Sequence, residues 1–480
     1  MKREETLDPE DWQELKSLAH RMVDDMLDYL QTVRDRPVWQ PTTEAIRSQL
    51  QQSLPEEPEG PEKAYQDFQQ YVLPYPMGNI HPRFWGWVNG TGSPFAMLAE
   101  MLAAGMNPNV GAFDQASVYV ENQVLAWCKE MLSYPATASG LLVSGGSMAN
   151  LVGLAVARNA KAGVDVAHVG LQTTAPRLVL YGSTETHNSV DKSVGLLGLG
   201  STAFRKIPVN SQFQINIQEL GTMLMQDRAA GLHPFCIVGN AGTVNTGAID
   251  DLDELAAICE KENLWFHVDG AFGALAYLAP SLRGQLKGMQ RADSLAFDLH
   301  KWMYVPYEAG CILIRHPGEH HSAFSTPAAY LTSFTKGPSA GPFWFGEYGV
   351  QLSRGFRALK IWMSFKAHGI GKFRRLIEQN VAQAKYLAES ILSAEKLELL
   401  APVPLNVVCF RYQVEGRSEE QLNELNQEIL VRLQESGIAV PSGTTLNGRF
   451  AIRVAITNHR SRREDFDILV KKVIEIGDRL

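Results

Sequence analysis

The amino-acid sequence predicts an α/β protein with a mostly parallel central sheet, a helical arm before it and a small α+β domain after it. From residue 136 to residue 315, short continuously apolar runs alternate with helix-like segments. That is the texture of a sheet buried on both faces by its crossover helices. One long segment of helical period precedes this region, and mixed strand-like and helical stretches follow it from residue 371. A chain of 480 residues suggests two or three domains, with enough core to need no staples. The expected division is an arm over 1–85, a large domain over 86–370 and a small domain over 371–480.

In the arm, residues 8–34 read as one amphipathic helix, with Asp8 as N-cap and Pro9 in the first turn. Trp12, Leu15, Leu18, Met22, Val23, Met26 and Leu30 recur on one face. A Pro/Glu-rich linker over 55–61 follows. Such a helix cannot bury its apolar face alone, so it packs on its own chain or on another subunit. The strands expected next are 140–144, 178–181, 235–240, 265–269, 294–297 and 310–314, with helices over 148–158 and 252–261 among them. Residues 316–350, rich in Gly, Pro, Ser and Phe and without period, read as a functional lid. In the last domain a strand over 406–411, a helix over 419–435, a strand over 450–456 and a final helix from about residue 463 are expected.

Charge and cysteine usage narrow the function classes. With 44 Lys+Arg against 52 Asp+Glu, a net charge of -8 and no basic tract, the chain lacks the footprint of a nucleic-acid binder, and no nucleic-acid partner is expected. Cys128, Cys236, Cys259, Cys311 and Cys409 are odd in number and form no CxxC, which fits a reducing cytoplasm better than a disulfide framework or zinc site. No apolar run reaches the length of a membrane span, and the N-terminus opens with charge where a signal peptide would be apolar.

Four local patterns carry chemistry. Lys301, within Asp298-Leu299-His300-Lys301-Trp302, lies between two buried strands. An unpaired buried ammonium tends to lose its proton and become nucleophilic; alternatively its stem packs on Trp302 and the amine reaches water. Asp269 ends the strand Trp265-Phe266-His267-Val268-Asp269, where ligands bind in α/β folds. It can serve a metal, a ribose or a protonated ring nitrogen, or simply cap the next helix. Gly270 and Ala271 beside it leave room for a flat group. In Val143-Ser144-Gly145-Gly146-Ser147-Met148-Ala149-Asn150 a strand enters a Gly-Gly-Ser turn and a helix leaves it, a phosphate cradle in form that matches neither a Walker loop nor GxGxxG. His187, after the strand 178–181, offers a flat ring that can stack on an aromatic group or stay solvated. Together, a cradle, a ring-facing His, a strand-end Asp and a nucleophilic Lys are the parts that hold pyridoxal 5'-phosphate.

At these residues the chain resembles the group II pyridoxal-phosphate-dependent amino-acid decarboxylases, which include aromatic-L-amino-acid, histidine and glutamate decarboxylases. The resemblance also covers His81-Pro82-Arg83-Phe84 and Arg354-Gly355-Phe356-Arg357. It implies the fold-type-I, aminotransferase-like architecture and a homodimer with active sites at the interface, the N-terminal helices wrapping the partner. It implies that Lys301 condenses with the cofactor, Asp269 pairs with the ring nitrogen, and Ala271 and His187 flank the ring. Gly146, Ser147 and His300 would serve the phosphate, and Thr243 would lie close to the cofactor. Tyr330, in the lid, would protonate the substrate's α-carbon; its alternative role is packing within the loop. The presence of both Tyr330 and His187 favours plain decarboxylation over the family's aldehyde-forming branch. The family's substrate segment corresponds to residues 84–91, where Trp85 and Trp87 offer an aromatic wall. Val88, Asn89 and Gly90 stand where animal aromatic decarboxylases carry Phe, Pro and Thr. An aromatic L-amino acid is therefore the expected substrate, with an acidic one, or oxidative aldehyde formation, as alternatives. His316, His320 and His321 read as solvated. Arg354 and Arg357 either orient substrate or cofactor or form interface ion pairs.

Overall fold

The computed structural model describes residues 4–171, 177–325, 336–341 and 343–480. Eleven strands are used below. The large sheet contains β1 (Ser139–Val143), β2 (Leu178–Ser183), β3 (Phe204–Ile207), β4 (His233–Asn240), β5 (Trp265–Asp269), β6 (Ser294–Asp298) and β7 (Gly310–Ile314). Their spatial order is β1-β7-β6-β5-β4-β2-β3. β7 runs antiparallel to both neighbours and the remaining pairs are parallel. Every residue of β2, β5, β6 and β7 is buried, which explains their largely apolar sequences. β3 escapes the sequence pattern because it is a short edge strand carrying Arg205 and Lys206.

The smaller sheet contains β8 (Leu397–Leu399), β9 (Val407–Tyr412), β10 (Ser442–Leu446) and β11 (Arg449–Ala455), ordered β10-β11-β9-β8 and antiparallel throughout. The helices Glu419–Glu435 and Arg463–Gly477 cover it around a second core of Phe410, Ile429, Leu433, Ile452 and Phe466. The long helix Arg357–Leu392 serves both cores, and its backbone leaves helical geometry at Gly369 (φ 65°, ψ 148°).

Three sequence expectations change here. The leading helix spans Trp12–Gln31, and its N-cap is Asp11 instead of Asp8: the Asp11 carboxylate accepts from the amides of Gln13 (2.7 Å) and Glu14 (3.2 Å). On this helix Leu18 and Tyr29 are buried, while Trp12, Leu15 and Met22 are exposed. The region after β7 opens with a helix, Pro317–Phe324. It shows no apolar period because its one fully buried side chain is a histidine. His320 is fully buried, donating from Nε2 to the Tyr348 carbonyl (2.8 Å) and meeting Ser139 Oγ through Nδ1 (2.9 Å), so it is not solvated. His316 and His321 remain partly exposed beside Asp293 and Glu347. Among the described residues no helix is long and apolar enough to cross a membrane.

Candidate active site

A cleft of about 490 Å³ opens at the carboxyl ends of β1, β4, β5 and β6. Gly146, Ser147, His187, Thr243, Asp269, Ala271, His300 and Lys301 all line it, with Trp87 and Asn89 toward its mouth. A larger groove of about 770 Å³ lies between Lys161, Trp265, Arg291 and Glu319, at the amino ends of β5 and β6. Ligands of such sheets bind at the opposite, carboxyl end, so the smaller cleft is the candidate.

The turn after β1 delivers the chain into the helix Gly146–Lys161, whose N-terminus no side chain caps. Its first-turn amides are therefore available to an anion. Glycine is required by packing. A Cβ on Gly146 would stand 2.9 Å from Asp298 Oδ2 and 3.3 Å from the Ala271 Cβ. His300 closes the other side. Its Nδ1 accepts from the Ala309 amide (3.1 Å), so the neutral ring carries its proton on Nε2. Burial, only partly opposed by Asp298, pushes the His300 pKa down to about 4, which keeps it a neutral donor. The uncapped amides, the Ser147 hydroxyl and this Nε2–H form a donor set that fits a phosphate, while the open space beside Ala271 fits a flat ring.

Asp269 ends β5 with both oxygens oriented: Oδ1 accepts from the Ala271 amide (3.1 Å) and Oδ2 from Asn150 Nδ2 (2.8 Å). His187 caps the helix Asn188–Leu196, its Nδ1 accepting from the Ser189 amide (3.2 Å). Burial lowers its pKa against the opposing pull of Asp269. Thr243 is buried, with Oγ1 3.1 Å from Thr246 Oγ1.

Lys301 sits on the short helix Leu299–Trp302 after β6. The sequence reading of an unpaired amine is corrected: Nζ lies 2.9 Å from Asp298 Oδ2. Burial alone would lower its pKa, but the Asp298 charge and hydrogen bond, with Asp269 behind them, raise it above the ordinary lysine value. The resting side chain is an ammonium ion, poised by its partner.

Trp85 is also corrected. It is 1% exposed and stacks on Phe466 at 4.9 Å, and its Nε1 donates to Ser461 Oγ (3.1 Å). The segment around it runs beside the small sheet, with the Trp85 amide donating to the Val440 carbonyl (2.8 Å). It belongs to the second core and does not line the cleft. Trp87, two residues on, is 54% exposed at the mouth. Arg354 points away from the cleft. It pairs with Glu121 and donates to the carbonyls of Val110 (2.8 Å) and Leu142 (2.7 Å), clamping the strand that leads into the Gly-Gly-Ser turn. Both partners of this pair are buried, so Arg354→Met is expected to destabilise the protein by about 3–5 kcal/mol through the uncompensated Glu121 charge. Urea unfolding checks it, and Glu121→Gln in the same chain should restore part of the loss. Arg357 reaches Glu308 at 3.4 Å and Gln351 at 3.3 Å. Tyr330 lies outside the described residues.

Three cleft residues escaped the sequence reading. Asp298 occupies the end of β6 just as Asp269 ends β5, and that shared position was the available signal. It is 1% exposed, and its Oδ1 has no hydrogen-bond partner. Asn150 lies one helical turn beyond Ser147. Tyr307 packs on the His300 ring (4.4 Å between centroids), accepts from the Gly90 amide (3.0 Å) and donates to Asn89 Oδ1 (2.9 Å). Nothing in its local sequence marks it.

The Pyridoxal-dependent decarboxylase conserved domain matches residues 43–413. An aromatic-L-amino-acid decarboxylase of Bacillus atrophaeus is 33% identical over 470 residues, covering 97% of this chain and 96% of that protein. A phenylacetaldehyde synthase of Petunia hybrida is 29% identical over 472 residues, covering 94% of this chain and 91% of that one. The solved structure of Catharanthus roseus tryptophan decarboxylase in complex with L-tryptophan superimposes with a TM-score of 0.88 at 26% identity, over 99% of this chain and 100% of that chain. With a lysine, an aspartate and an uncapped glycine turn converging on one cleft, and a family match spanning most of its length, the chain belongs to the pyridoxal-dependent decarboxylases, carboxy-lyases whose cofactor is pyridoxal phosphate.

Proposed function

We propose that this chain decarboxylates an aromatic L-amino acid to the corresponding amine and carbon dioxide, working as a cytoplasmic homodimer. The observation that carries the chemistry is the convergence of Lys301, Asp269, His187 and the Gly146 turn on one cleft. The substrate class is supported by the relatives named above and by Trp87 at the mouth. When bound, the cofactor supplies an electron sink for the pair left on the α-carbon as the carboxylate departs. In this reading Lys301 would hold the cofactor covalently, Asp269 would keep a proton on its ring nitrogen, and Ala271 and His187 would flank the ring. Gly146, Ser147 and His300 would hold the phosphate, and Thr243 would border the cofactor. Asn89, fixed by Tyr307, faces the substrate side. The acid for the α-carbon is assigned to Tyr330.

Dimerisation is supported by exposed apolar side chains, among them Met101, Leu102, Met106, Tyr307 and Leu352, and by the uncovered Trp12 and Met22 of the arm. Light scattering should give twice the 53.1 kDa chain mass. The cytoplasmic reading is supported by five buried free thiols. The kink at Gly369 supports a domain boundary near residue 370.

The test is a decarboxylation screen across the standard amino acids, with carbon dioxide, amine and peroxide all measured. Aromatic substrates should give amine without peroxide. A preference for aspartate or glutamate would overturn the substrate class. Stoichiometric peroxide would favour the aldehyde-forming reading that the Petunia relative represents.

Asp298 adds a pH prediction. Lys301 attacks an aldehyde only as the free amine, and Asp298 holds its pKa up. Capture of pyridoxal phosphate by the apo protein should therefore accelerate as pH rises, about tenfold per unit while pH stays below that pKa. Asp298→Asn removes the charge that favours the ammonium, so the whole curve should move to lower pH. Stopped-flow absorbance between about pH 6 and 9 reads it. An unmoved curve would remove Asp298 from control of the lysine.

A further inference from the structure

Behind Asp269 lies a row of polar side chains to which the proposed roles assign nothing. Trp265, His267 and Asp269 alternate along β5 and share one face. Ser294 stands beside His267 on β6, and Asn150 faces it from the helix Gly146–Lys161. Gly153, one turn after Asn150, makes space for the imidazole: a Cβ there would lie 2.8 Å from His267 Cε1. None of these polar residues is more than 5% exposed, so water cannot substitute for a missing partner.

The direction of every proton follows from the two ends, an indole that can only donate and a carboxylate that can only accept. An indole N–H can only donate, and Trp265 Nε1 donates to Ser294 Oγ at 2.8 Å. The Ser294 hydroxyl is thereby free to donate its own proton to His267 Nδ1, 2.7 Å away. With Nδ1 accepting, the neutral ring carries its proton on Nε2, which donates to Asn150 Oδ1 at 2.9 Å. Burial supports the neutral state, holding the His267 pKa at about 4. The Asp269 carboxylate can only accept, so the Asn150 amide has one orientation, and that orientation in turn requires the proton on His267 Nε2. Asn150 Nδ2 donates to Asp269 Oδ2 (2.8 Å) and to Ser189 Oγ (2.9 Å), and Ser189 Oγ lies 2.9 Å from His187 Nδ1. Reversing any member would set two donors or two acceptors face to face in a dry interior.

We propose that Trp265, Ser294, His267 and Asn150 form a one-way chain of hydrogen-bond donors that orients Asp269, and through Ser189 His187, toward the cofactor ring. These four are positioning residues. Their polarity is retained in the core because the carboxylate at the end of the chain needs a donor fixed on its far side. The proposal rests on the assignment of Asp269 to the cofactor's ring nitrogen.

A thermodynamic cycle on pyridoxal phosphate affinity tests it, using Ser294→Ala and Asp269→Asn. No hydrogen bond joins the two residues; the chain links them through His267 and Asn150. In the wild-type background Ser294→Ala should raise the dissociation constant about threefold to tenfold, the scale of one buried hydrogen bond. In the Asp269→Asn background the same change should have less than about a twofold effect, because its endpoint is gone. Equal effects in both backgrounds, or none in either, would overturn the chain. A second measurement needs no variant in the chain beyond one for assignment. Two-bond nitrogen spectra of histidine-labelled wild-type protein should show His267 protonated at Nε2 and bare at Nδ1, its signals identified by their loss in His267→Gln. Protonation at Nδ1 would sink the proposal by itself. Failure of the underlying assignment looks different: Asp269→Asn alone would then leave pyridoxal phosphate affinity and carbon dioxide release at wild-type levels.

Discussion

Lys301→Ala is expected to lower carbon dioxide release by about 10⁴-fold or more, the scale on which removal of a covalent catalyst acts. The absorbance band of cofactor attached to the protein should disappear with it. Affinity for pyridoxal phosphate should fall less steeply, because the Gly146 turn, Ser147 and His300 remain in place. The same substitution has a structural consequence that must be separated from the chemical one. Asp298 is 1% exposed, its Oδ1 has no partner, and Oδ2 relies on Lys301 Nζ at 2.9 Å. Losing the ammonium leaves a buried carboxylate uncompensated, at about 3 kcal/mol or more. Lys301→Ala should therefore melt early, and Lys301→Ala with Asp298→Asn should regain most of that stability without regaining activity. Recovery of turnover in the double variant would mean that Lys301 supports the fold and takes no part in the reaction. Retained turnover in the single variant would carry the same meaning.

What the sequence disclosed follows from which physical signals are local. β4 to β7 were visible because strands buried on both faces leave continuous apolar runs. β10, reading Ser-Gly-Thr-Thr-Leu, has no such run and is set by pairing with β11. The helix Pro317–Phe324 buries a histidine where pattern reading looks for an apolar residue. At the site, Lys301, Asp269 and the Gly-Gly-Ser turn were legible because each follows directly on a strand and is marked by its own neighbours. Partnerships were not. The Lys301 reading missed the carboxylate three residues earlier, since sequence does not say that a side chain turns back on its own strand end. Trp85 was misplaced for a related reason: an indole signals a large burial, but its partners Ser461 and Phe466 lie more than three hundred residues away. Arg354 likewise pairs with Glu121 across a separation that no motif encodes.

Asp269→Asn is expected to reduce carbon dioxide release by about 10³-fold, comparable to the upper cost of deleting one preorganised electrostatic contact in an active site. Two effects add. The first is charge: a protonated ring nitrogen needs an anion beside it to remain protonated at neutral pH. The second is hydrogen-bond polarity. Asp269 now accepts from the Ala271 amide at one oxygen and from Asn150 Nδ2 at the other. An asparagine presents one acceptor and one donor, so its NH₂ must face one of these two donors. The variant therefore strains the turn at Ala271 or breaks the contact to Asn150. Asp269→Glu keeps the charge and separates the two effects. Its extra methylene must be fitted into a buried site, where Asp269 is 5% exposed and both its oxygens already have partners. It should restore the absorbance signature of a protonated ring while recovering only part of the rate. If Asp269→Asn instead turned over like the wild type, the carboxylate would be no more than the anchor of the turn at Ala271, and the electron sink would have to be maintained without a counter-charge.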